Sequence, residues 1–385
     1  MDALTTPSNW QRVRLGDIGK PCMCKRVMKH QTTRYGEIPF YKIGTFGNTA
    51  DAFISKKLFL EYKTKYSFPK KGDILISASG TIGRAVIYDG KPAYFQDSNI
   101  VWIDNDETLV KNDFLFYAYS NIKWNTEHTT ILRLYNDNFR NTLIPLPPLN
   151  EQIAIANVLS DLDRYLCSLD ALILKKESVK KALSFELLSQ RKRLKGFNQA
   201  WQKVRLGDIA NYLTSNLSAE QITQQGKIKV YDVNNFIGYT DITFISDKPY
   251  ISIVKDGSVG RVRILPPKTN ILSTMGALIA NHKTTTEFLF YLLSNFDFKN
   301  FTSGSIIPHI YFKDYKEKTI SLPPLNEQAA IANILSTLDS EIISLKNKKR
   351  QFDNIKKALN HDLMSAKIRV LKKINAPKSQ GQTRL

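Results

Sequence analysis

Apolar residues recur at every third or fourth position in two long stretches of the chain. Lys, Glu, Asp and Ser occupy most positions between them, so each stretch predicts a helix with one narrow apolar seam, as in coiled coils. A single such helix is marginally stable in water, and its seam could pack on a globular part of the protein. Because two matching seams of equal length occur, we favour pairing of the helices with each other. The seams consist of Leu159, Leu162, Leu166, Leu169 and Ile173 in the first helix and Leu335, Leu338, Ile342, Leu345 and Phe352 in the second.

Prolines mark the start of both helices. Pro147 and Pro148 cannot lie inside a helix, Asn150 is a suitable N-cap, and Glu151 suits the positive end of the helix dipole. The same order of residues returns before the second helix. We therefore predict long helices over residues 150–195 and 326–370. At the usual rise per residue each would extend about 60 Å, and antiparallel pairing would hold two globular parts at opposite ends of a rod.

Short runs rich in Val, Ile, Tyr and Phe fill the rest of the chain and alternate with turn residues, which indicates strands. The run from Lys71 to Gly90 predicts two strands around a glycine turn, and the runs from Asp113 and from Glu287 predict short helices. The expected fold class is α+β, with two mixed α/β domains separated by the two long antiparallel coiled-coil helices. The domains cover residues 1–149 and 196–325, and a basic, disordered tail covers residues 371–385.

Two motifs occur twice. WQRVRLGDIG from Trp10 returns as WQKVRLGDIA from Trp201, and LPPLNEQIAIANVLSDLD from Leu146 returns as LPPLNEQAAIANILSTLD from Leu322. Between them, GTIGRAVI in the first copy answers GSVGRVRI in the second. The chain is therefore predicted to be an internal pseudo-twofold repeat. The first copy has an insertion of about 13 residues within 51–80, rich in Lys, Phe and Tyr, for which we expect an enlarged loop or hairpin.

The net charge and the cysteine content indicate the kind of binding partner and the cellular compartment. The 385 residues carry a formal net charge of +20, which favours a polyanion such as nucleic acid, although an ordinary basic protein is the alternative. Cys22, Cys24 and Cys167 are an odd number without disulfide spacing, which fits a reducing compartment. We find neither a membrane-spanning apolar stretch nor a secretory signal, so we expect a cytoplasmic protein without a membrane partner.

Catalytic motifs are missing from the sequence. It has no GxxxxGK[ST] phosphate loop, and its proline pairs do not resemble the Asn-Pro-Pro-Tyr loop of amino-methyltransferases, so we expect neither ATP hydrolysis nor methyl transfer. Asp51, Glu61 and Lys63 form a loose nuclease-like set, which solvated surface charges explain better. The neighbouring cysteines lack enough further ligands, so no metal site is predicted.

The paired motifs resemble those of the specificity subunits of type I restriction-modification systems. The resemblance covers nearly the whole chain and rests on the two copies of LPPLNEQ followed by IANVLSDLD or IANILSTLD. The GDIL and GTIG block of the first copy also fits, whereas SIVKDGSVG in the second departs in detail. A related specificity chain from a two-subunit enzyme that methylates and cuts shares this design and stays an alternative. A stand-alone metal-dependent nuclease and a scaffold without DNA are further alternatives.

The resemblance implies a non-catalytic chain with two target recognition domains, each of which reads one half of a split site in double-stranded DNA. It also implies two methylation subunits that use S-adenosylmethionine, and motor-nuclease subunits that use ATP and Mg²⁺. This chain itself is then expected to hold no cofactor. The outer faces of the helices and the two LPPLNEQ corners would offer two equivalent docking surfaces for identical partners.

Candidate DNA-contacting residues lie in predicted loops and differ between the two copies. Lys42 and Thr45 in the first copy stand where Asp232, Asn234 and Asn235 stand in the second, which implies two different half-sites. Arg84 and Arg261 are shared and lie beside a glycine turn, so contact with phosphate is as plausible as packing at a strand end. We expect at most half of the candidates to touch DNA. The others are Lys25, Arg26, Lys29, Arg34, Tyr35, Asn48, Thr81, Arg133, Tyr135, Asn136, Ser215, Asn216, Ser258, His309 and Tyr311.

Overall fold

The computed structural model of the protein describes residues 9–125 and 133–371. The chain divides into two units, which we call the first unit (Met1–Ser168 with Lys349–Leu385) and the second unit (Leu169–Lys348). Each unit holds sheets, short helices and a segment of both long helices, so the mixed α and β class is confirmed. Of the predicted basic tail, residues 372–385, with Lys372, Lys373, Pro377, Gly381 and Arg384, lie outside the described residues.

Three sheets form the globular part of the first unit. The four-stranded sheet is antiparallel with the order β2-β8-β5-β6, the three-stranded sheet has the order β4-β3-β7, and β1 pairs with β9. The antiparallel pair β5 and β6 confirms the two strands predicted around the glycine turn. The strands are β1 (Gln11–Arg14), β2 (Gly19–Met23), β3 (Ile38–Tyr41), β4 (Phe53–Ile54), β5 (Ile74–Ser77), β6 (Ala85–Ile87), β7 (Tyr94–Phe95), β8 (Ile100–Asn105) and β9 (Leu143–Leu146).

The short helices of the first unit correct one prediction and confirm another. They are α1 (Leu15–Ile18), α2 (Lys56–Lys65), α3 (Asn112–Tyr119) and α4 (Asn136–Asn141), with a 3₁₀ turn at Lys29–Gln31. Helix α3 confirms the helix predicted from Asp113. The prediction of a loop or hairpin in the insertion was wrong, because α2 lies there. The Ser55 side chain accepts a hydrogen bond from the Leu58 amide as an N-cap, and Phe59 is buried beneath the helix.

The second unit repeats the three sheets of the first. Its sheets have the orders β11-β17-β14-β15, β13-β12-β16 and β10-β20, and the second unit also contains a two-stranded β18-β19 ladder. Within the second unit, the segment between β13 and β14 has no helix that answers α2. The strands are β10 (Gln202–Arg205), β11 (Ala210–Thr214), β12 (Ile228–Tyr231), β13 (Phe236–Thr240), β14 (Tyr250–Val254), β15 (Val262–Leu265), β16 (Thr269–Ile271), β17 (Met275–Ala280), β18 (Thr302–Ser303), β19 (His309–Ile310) and β20 (Thr319–Leu322).

The remaining regular elements of the described residues are helices. The long helices are α5 (Leu149–Leu188) and α8 (Leu325–Met364), each of 40 residues. Both begin one residue before the predicted asparagine, and both end before the predicted residues 195 and 370. The short helices of the second unit are α6 (Thr286–Ser294) and α7 (Phe312–Tyr315), with 3₁₀ turns at Leu206–Asp208, Ala219–Gln221 and Lys299–Phe301. Helix α6 confirms the helix predicted from Glu287. Within the described ranges, no helix has an apolar stretch long enough to cross a bilayer.

The two long helices run antiparallel where they meet inside each unit. In the first unit the rings of Tyr165 and Phe352 lie 4.8 Å apart between centroids, and an ion pair joins Lys356 to Asp163. In the second unit Lys346 lies 2.6 Å from Glu177, and Lys180 pairs with Asp339. Of the seam residues, Leu159, Leu166, Leu169, Ile173, Leu335 and Ile342 are buried, and Leu162, Leu338, Leu345 and Phe352 are half-buried.

Parts of the seams also belong to the globular cores. In the first unit, Leu159 of α5 and Leu363 of α8 pack in one cluster with Phe114 of α3. In the second unit, Leu335 of α8 and Leu187 of α5 join the cluster around Phe288. Packing on the globular part and packing of helix on helix therefore both occur, at different positions along the same stripe.

Candidate nucleic-acid interface

A buried glutamate joins both repeated motifs at one corner of each unit. In the first unit the indole Nε1 of Trp10 donates to Oε2 of Glu151 at 3.1 Å, and Arg369 forms an ion pair with the same carboxylate. In the second unit Trp201 donates to Glu327 at 3.0 Å, and Arg193 pairs with it at 2.7 Å. These glutamates are only 2% and 1% exposed. A buried carboxylate is tolerated because an arginine and an indole satisfy it.

The glutamine of each LPPLNEQ motif is also used internally. Gln152 donates to the carbonyls of Pro147 and Leu109 and accepts from the Lys111 amide at 2.8 Å. Gln328 donates in the same way to Pro323 and Lys283 and accepts from the Thr285 amide at 3.1 Å. The polar pair of the motif thus ties the helix start to the globular part. The predicted docking corners retain as exposed surface Leu149, Asn150 and Ile153 in the first unit and Leu325, Asn326 and Ala329 in the second.

A second matched contact lies further along each long helix. The hydroxyl of Tyr117 donates to Asp163 at 2.7 Å, and that of Tyr291 donates to Asp339 at 2.8 Å. Burial, followed by the neighbouring carboxylate, raises the pKa of both tyrosines, so the hydroxyls stay protonated donors. The same carboxylates receive Lys356 and Lys180 from the opposite helix. Each unit therefore couples one short helix of its globular part, α3 or α6, to both long helices through one aspartate.

The glycine turn after β5 and after β14 has one geometry in both units. Gly83 and Gly260 have φ of +84° and +79°, and a Cβ atom at either position would lie within 2.5 Å of an aromatic ring, that of Trp124 or Phe298. Only glycine fits without rearrangement. The turn exposes Thr81 and Arg84 in the first unit and Ser258 and Arg261 in the second. Arg84 is partly held, because its Nη1 donates to the carbonyl of Phe46 at 2.9 Å.

The turns that follow β3 and β12 differ in side chains and in backbone hydrogen bonds. The Thr45 amide donates to the Lys42 carbonyl in the first unit, whereas the Asp232 amide donates to the Asn235 carbonyl in the second. In the first unit Thr45 accepts from the Lys42 amide at 3.1 Å, and the Lys42 ammonium pairs with Asp51 at 2.8 Å. In the second unit Asp232 accepts from the amides of Asn234 and Asn235 at 2.7 and 2.6 Å. Thr45 and Asp232 therefore shape their turns. The side chains left exposed are Asn48 in the first unit and Asn234 and Asn235 in the second.

A third segment lies directly beside the glycine turn in each unit. Arg133 forms a β-bridge with Ser79, and His309 forms the matching bridge with Asp256. We call the three loops together the reading edge of each unit. It comprises residues 42–48, 81–84 and 133 in the first unit, and residues 232–235, 258–261 and 309 in the second. The exposed Tyr135, Asn136 and Tyr311 continue it at the start of α4 and α7.

The segment from Lys25 to Tyr35 lies beside α2 in the first unit. The Lys25 ammonium is 5.1 Å from the centroid of the Tyr66 ring, and Gln31 donates to the Tyr62 hydroxyl. Arg26 pairs with Asp97 at 3.1 Å and is exposed, as are Lys29, Arg34 and Tyr35. Helix α2 adds the exposed lysines 56, 57, 63 and 65, which sequence reasoning placed in the insertion but not in the interface. The spacing of Leu58, Phe59, Tyr62 and Tyr66 was the helical signal that could have revealed it.

One predicted contact residue is not accessible. Ser215 is buried, and its hydroxyl accepts a hydrogen bond from the Leu217 amide at 3.1 Å. It therefore holds a turn and is withdrawn from the candidates, whereas its neighbour Asn216 is exposed. Loop sequence alone does not reveal which of two adjacent polar residues points inward.

The two carboxylates of the nuclease-like set are engaged in separate ion pairs, and the Lys63 ammonium lies over the rings of Phe59 and Phe68. Asp51 is the partner of Lys42, and Glu61 on α2 pairs with Lys65 at 3.1 Å. Among the residues that the structure describes, no three His, Cys, Asp or Glu side chains form a group that could hold a metal ion.

Comparison with known proteins gives a family match over most of the chain. The model of the type I restriction modification DNA specificity domain matches twice, over residues 7–176 and 198–352. A Haemophilus influenzae protein that carries the name of a type I restriction enzyme specificity subunit, S.HindORF215P, is 63% identical over 148 residues, which are 38% of each chain. The type I restriction enzyme MjaVIII specificity subunit of Methanocaldococcus jannaschii is 26% identical over 96% of this chain and 95% of that protein.

A solved structure has the same fold. The S subunit of the type I restriction-modification system from M. genitalium aligns with a TM-score of 0.62 over 92% of this chain and 96% of that one. The sequence identity is 20%, so this likeness shows the fold alone.

Proposed function

Because this chain belongs to the family of type I restriction-modification DNA specificity proteins, we propose that its two units read the two halves of a bipartite site in double-stranded DNA. The observation that carries the proposal is the pair of reading edges. The glycine turns and the bridges beside them are matched between the units, whereas the exposed side chains around them differ. A reader of two unlike half-sites needs this combination of one frame and two sets of base contacts.

Positive charge supports DNA as the partner. The net charge of +20 attracts a polyanion without selecting a sequence. Arg84 and Arg261 occupy the same position beside the glycine turn in both units, so we assign them to phosphate contacts that position DNA in the same way at each half-site. Base selection then falls to the residues that differ, such as Asn48 in the first unit and Asn235 in the second.

Two identical methylation subunits are the proposed protein partners. The surfaces that would receive them are the exposed residues around the starts of α5 and α8, which occur once in each unit. One asymmetric chain can hold two copies of one partner if it offers the same surface twice. S-adenosylmethionine would then bind to the methylation subunits, and ATP and Mg²⁺ to the motor-nuclease subunits. This chain would select the site and carry out no catalysis.

The proposal is tested by sequencing methylated adenine in host DNA at single-molecule resolution, with and without this gene. We expect loss of methylation at one split motif, two short half-sites around a fixed gap. An unchanged pattern in a strain whose methylation subunits are active would contradict the proposal.

Two variants at the exposed asparagines test which unit reads which half-site. Asn48→Ala should alter bases of one half-site and Asn235→Ala bases of the other. If either variant changed both halves, the two units would not read independently.

A further inference from the structure

We propose that His309, oriented by Asp256, accepts a hydrogen bond from the amino group of a cytosine or adenine in the half-site of the second unit. At the matched position of the first unit, Arg133 donates to a guanine. This inference rests on the proposed DNA-reading function and names the chemistry of one base position in each half-site. Asp256 was not among the residues that the sequence indicated.

The two positions are equivalent in backbone structure. In the second unit the Ile310 amide donates to the Lys255 carbonyl at 2.9 Å, and Asp256 and His309 form a β-bridge. In the first unit the Leu134 amide donates to the Ala78 carbonyl at 2.9 Å, and Ser79 and Arg133 form the corresponding bridge. Both bridges lie directly before the glycine turn of the reading edge. The same backbone bridge therefore holds Ser79 and Arg133 in the first unit and Asp256 and His309 in the second.

The imidazole of His309 is held on three sides. Its Nδ1 lies 2.6 Å from Oδ1 of Asp256, and the side chains are 35% and 29% exposed. The ring of Tyr311 stacks at a centroid distance of 6.5 Å and an interplanar angle of 21°. Gly304, at a φ of +87°, leaves room for the ring, because a Cβ atom there would lie 3.0 Å from its Cδ2. A ring constrained in this way presents one edge in a fixed direction.

The contact with Asp256 determines whether the other ring nitrogen of His309, Nε2, donates or accepts a hydrogen bond. An ionised carboxylate only accepts, so Nδ1 carries the proton that it receives. In the neutral imidazole the lone pair then lies on Nε2, which has no partner among the described residues. The groups that donate to such an acceptor in the major groove are the amino groups of cytosine and adenine.

Arg133 has the opposite character. Its guanidinium has donors and no acceptor, and the groove-edge acceptors that suit it are O6 and N7 of guanine. The Ser79 hydroxyl donates to Asn99 at 2.8 Å, so its hydrogen bond is not spent on Arg133. One position on the shared frame thus reads an acceptor in one half-site and a donor in the other.

The test uses the complex of this chain with its methylation subunits and duplexes that carry each of the four bases at every position of the motif. We expect His309→Ala to lose about ten- to hundredfold of the discrimination at a single position of one half-site, which is the usual value of one specific base contact. Arg133→Ala should do the same in the other half-site and serves as the matched control. Replacing both Asp256→Ser and His309→Arg should move the preference at that position towards guanine.

Asp256→Asn separates a positioning role from a structural one. An amide can donate to Nδ1 and so release the other tautomer, and we expect weaker discrimination at the same base that His309→Ala relaxes, with an unchanged melting temperature. The inference is overturned if His309→Ala leaves every base preference intact, or if the wild-type preference at that position is already guanine. The proposed function fails separately, when the wild-type complex methylates no split motif.

Discussion

The two units of this protein agree in their buried contacts and differ in their exposed ones. Both have a glutamate that holds a tryptophan and an arginine, an aspartate that receives a tyrosine and a lysine, and a glycine packed against an aromatic ring. They differ at the reading edge and in α2, which only the first unit has. Buried polar groups must have hydrogen-bond partners inside the fold, so substitution of these buried residues destabilises the protein. Exposed side chains do not have this constraint, so they can differ between the units without destabilising the fold.

Each matched contact also joins chain segments that are far apart in sequence. Glu151, at the start of α5, pairs with Arg369 beyond the end of α8, and Glu327, at the start of α8, pairs with Arg193 beyond the end of α5. Each unit is therefore closed by the start of one long helix and the end of the other. If the comparison is right, equivalent substitutions in the two units should have equal effects on stability.

The largest effect is expected at the two buried corners. Glu151→Ala and Glu327→Ala should each lower the free energy of unfolding more than any other substitution proposed for its unit, because each leaves an indole N–H and an arginine without their shared buried acceptor. Urea unfolding of the purified chain measures this change. Glu61→Ala, which removes an exposed carboxylate on α2, is the control and should change little. Unequal losses at Glu151 and Glu327 would show that the corners are not equivalent.

The helix seam should give the next largest loss. Leu166 on α5 and Ile342 on α8 are 7% and 6% exposed and occupy equivalent positions of the repeat. Truncation of either to alanine should cost about 3 kcal/mol, measured as above, from lost burial and the cavity left behind. Leu174→Ala removes an exposed side chain of α5 and should be nearly neutral. A loss confined to one seam position would mean that the helices pack with different strength in the two units.

The glycine turns offer a third matched pair. Gly83→Ala and Gly260→Ala should each cost about 2 kcal/mol, because the new methyl group meets an aromatic ring and the positive φ disfavours alanine. Differential scanning calorimetry of both variants checks the shift in melting temperature. Gly44→Ala, where a Cβ atom meets nothing within 4 Å, is the control. If Gly83→Ala were neutral, Trp124 would have to move aside without cost.

The smallest effect is expected for the lysines that cross between the long helices. Lys356→Ala and Lys180→Ala remove partly exposed ion pairs and should cost about 0.5 kcal/mol each. Double-mutant cycles with Asp163→Asn and Asp339→Asn isolate the pair energies from other contacts of the lysines. If the coupling energy were substantial in one unit and absent in the other, the two units would be equivalent in stability only at the buried glutamates and the helix seam.

Several elements could be predicted because their signals are local. The proline pairs and the leucine spacing predicted α5 and α8, and the apolar runs predicted α3, α6 and the strands β5 and β6. Helix α2 was missed because its aromatic residues were interpreted as loop side chains. For the interface, the sequence indicated the loops correctly as exposed segments, but Ser215 and Asp232 turned out to serve their own turns. The role of Asp256 escaped notice because its partner His309 is distant in sequence.

The sequence by itself determined the repeat, the two long helices and the mixed class of the globular parts. Periodicity, caps and turn residues act over a few neighbouring positions, so they can be interpreted without coordinates. Only the tertiary structure decided that the glutamate and glutamine of LPPLNEQ form buried hydrogen bonds between the helix start and the globular part. Only the tertiary structure also decided that Asp256 and His309 form the same backbone bridge as Ser79 and Arg133. Those contacts join residues separated by many positions along the chain, and their energy comes from burial and hydrogen bonding that exist only once the chain has folded.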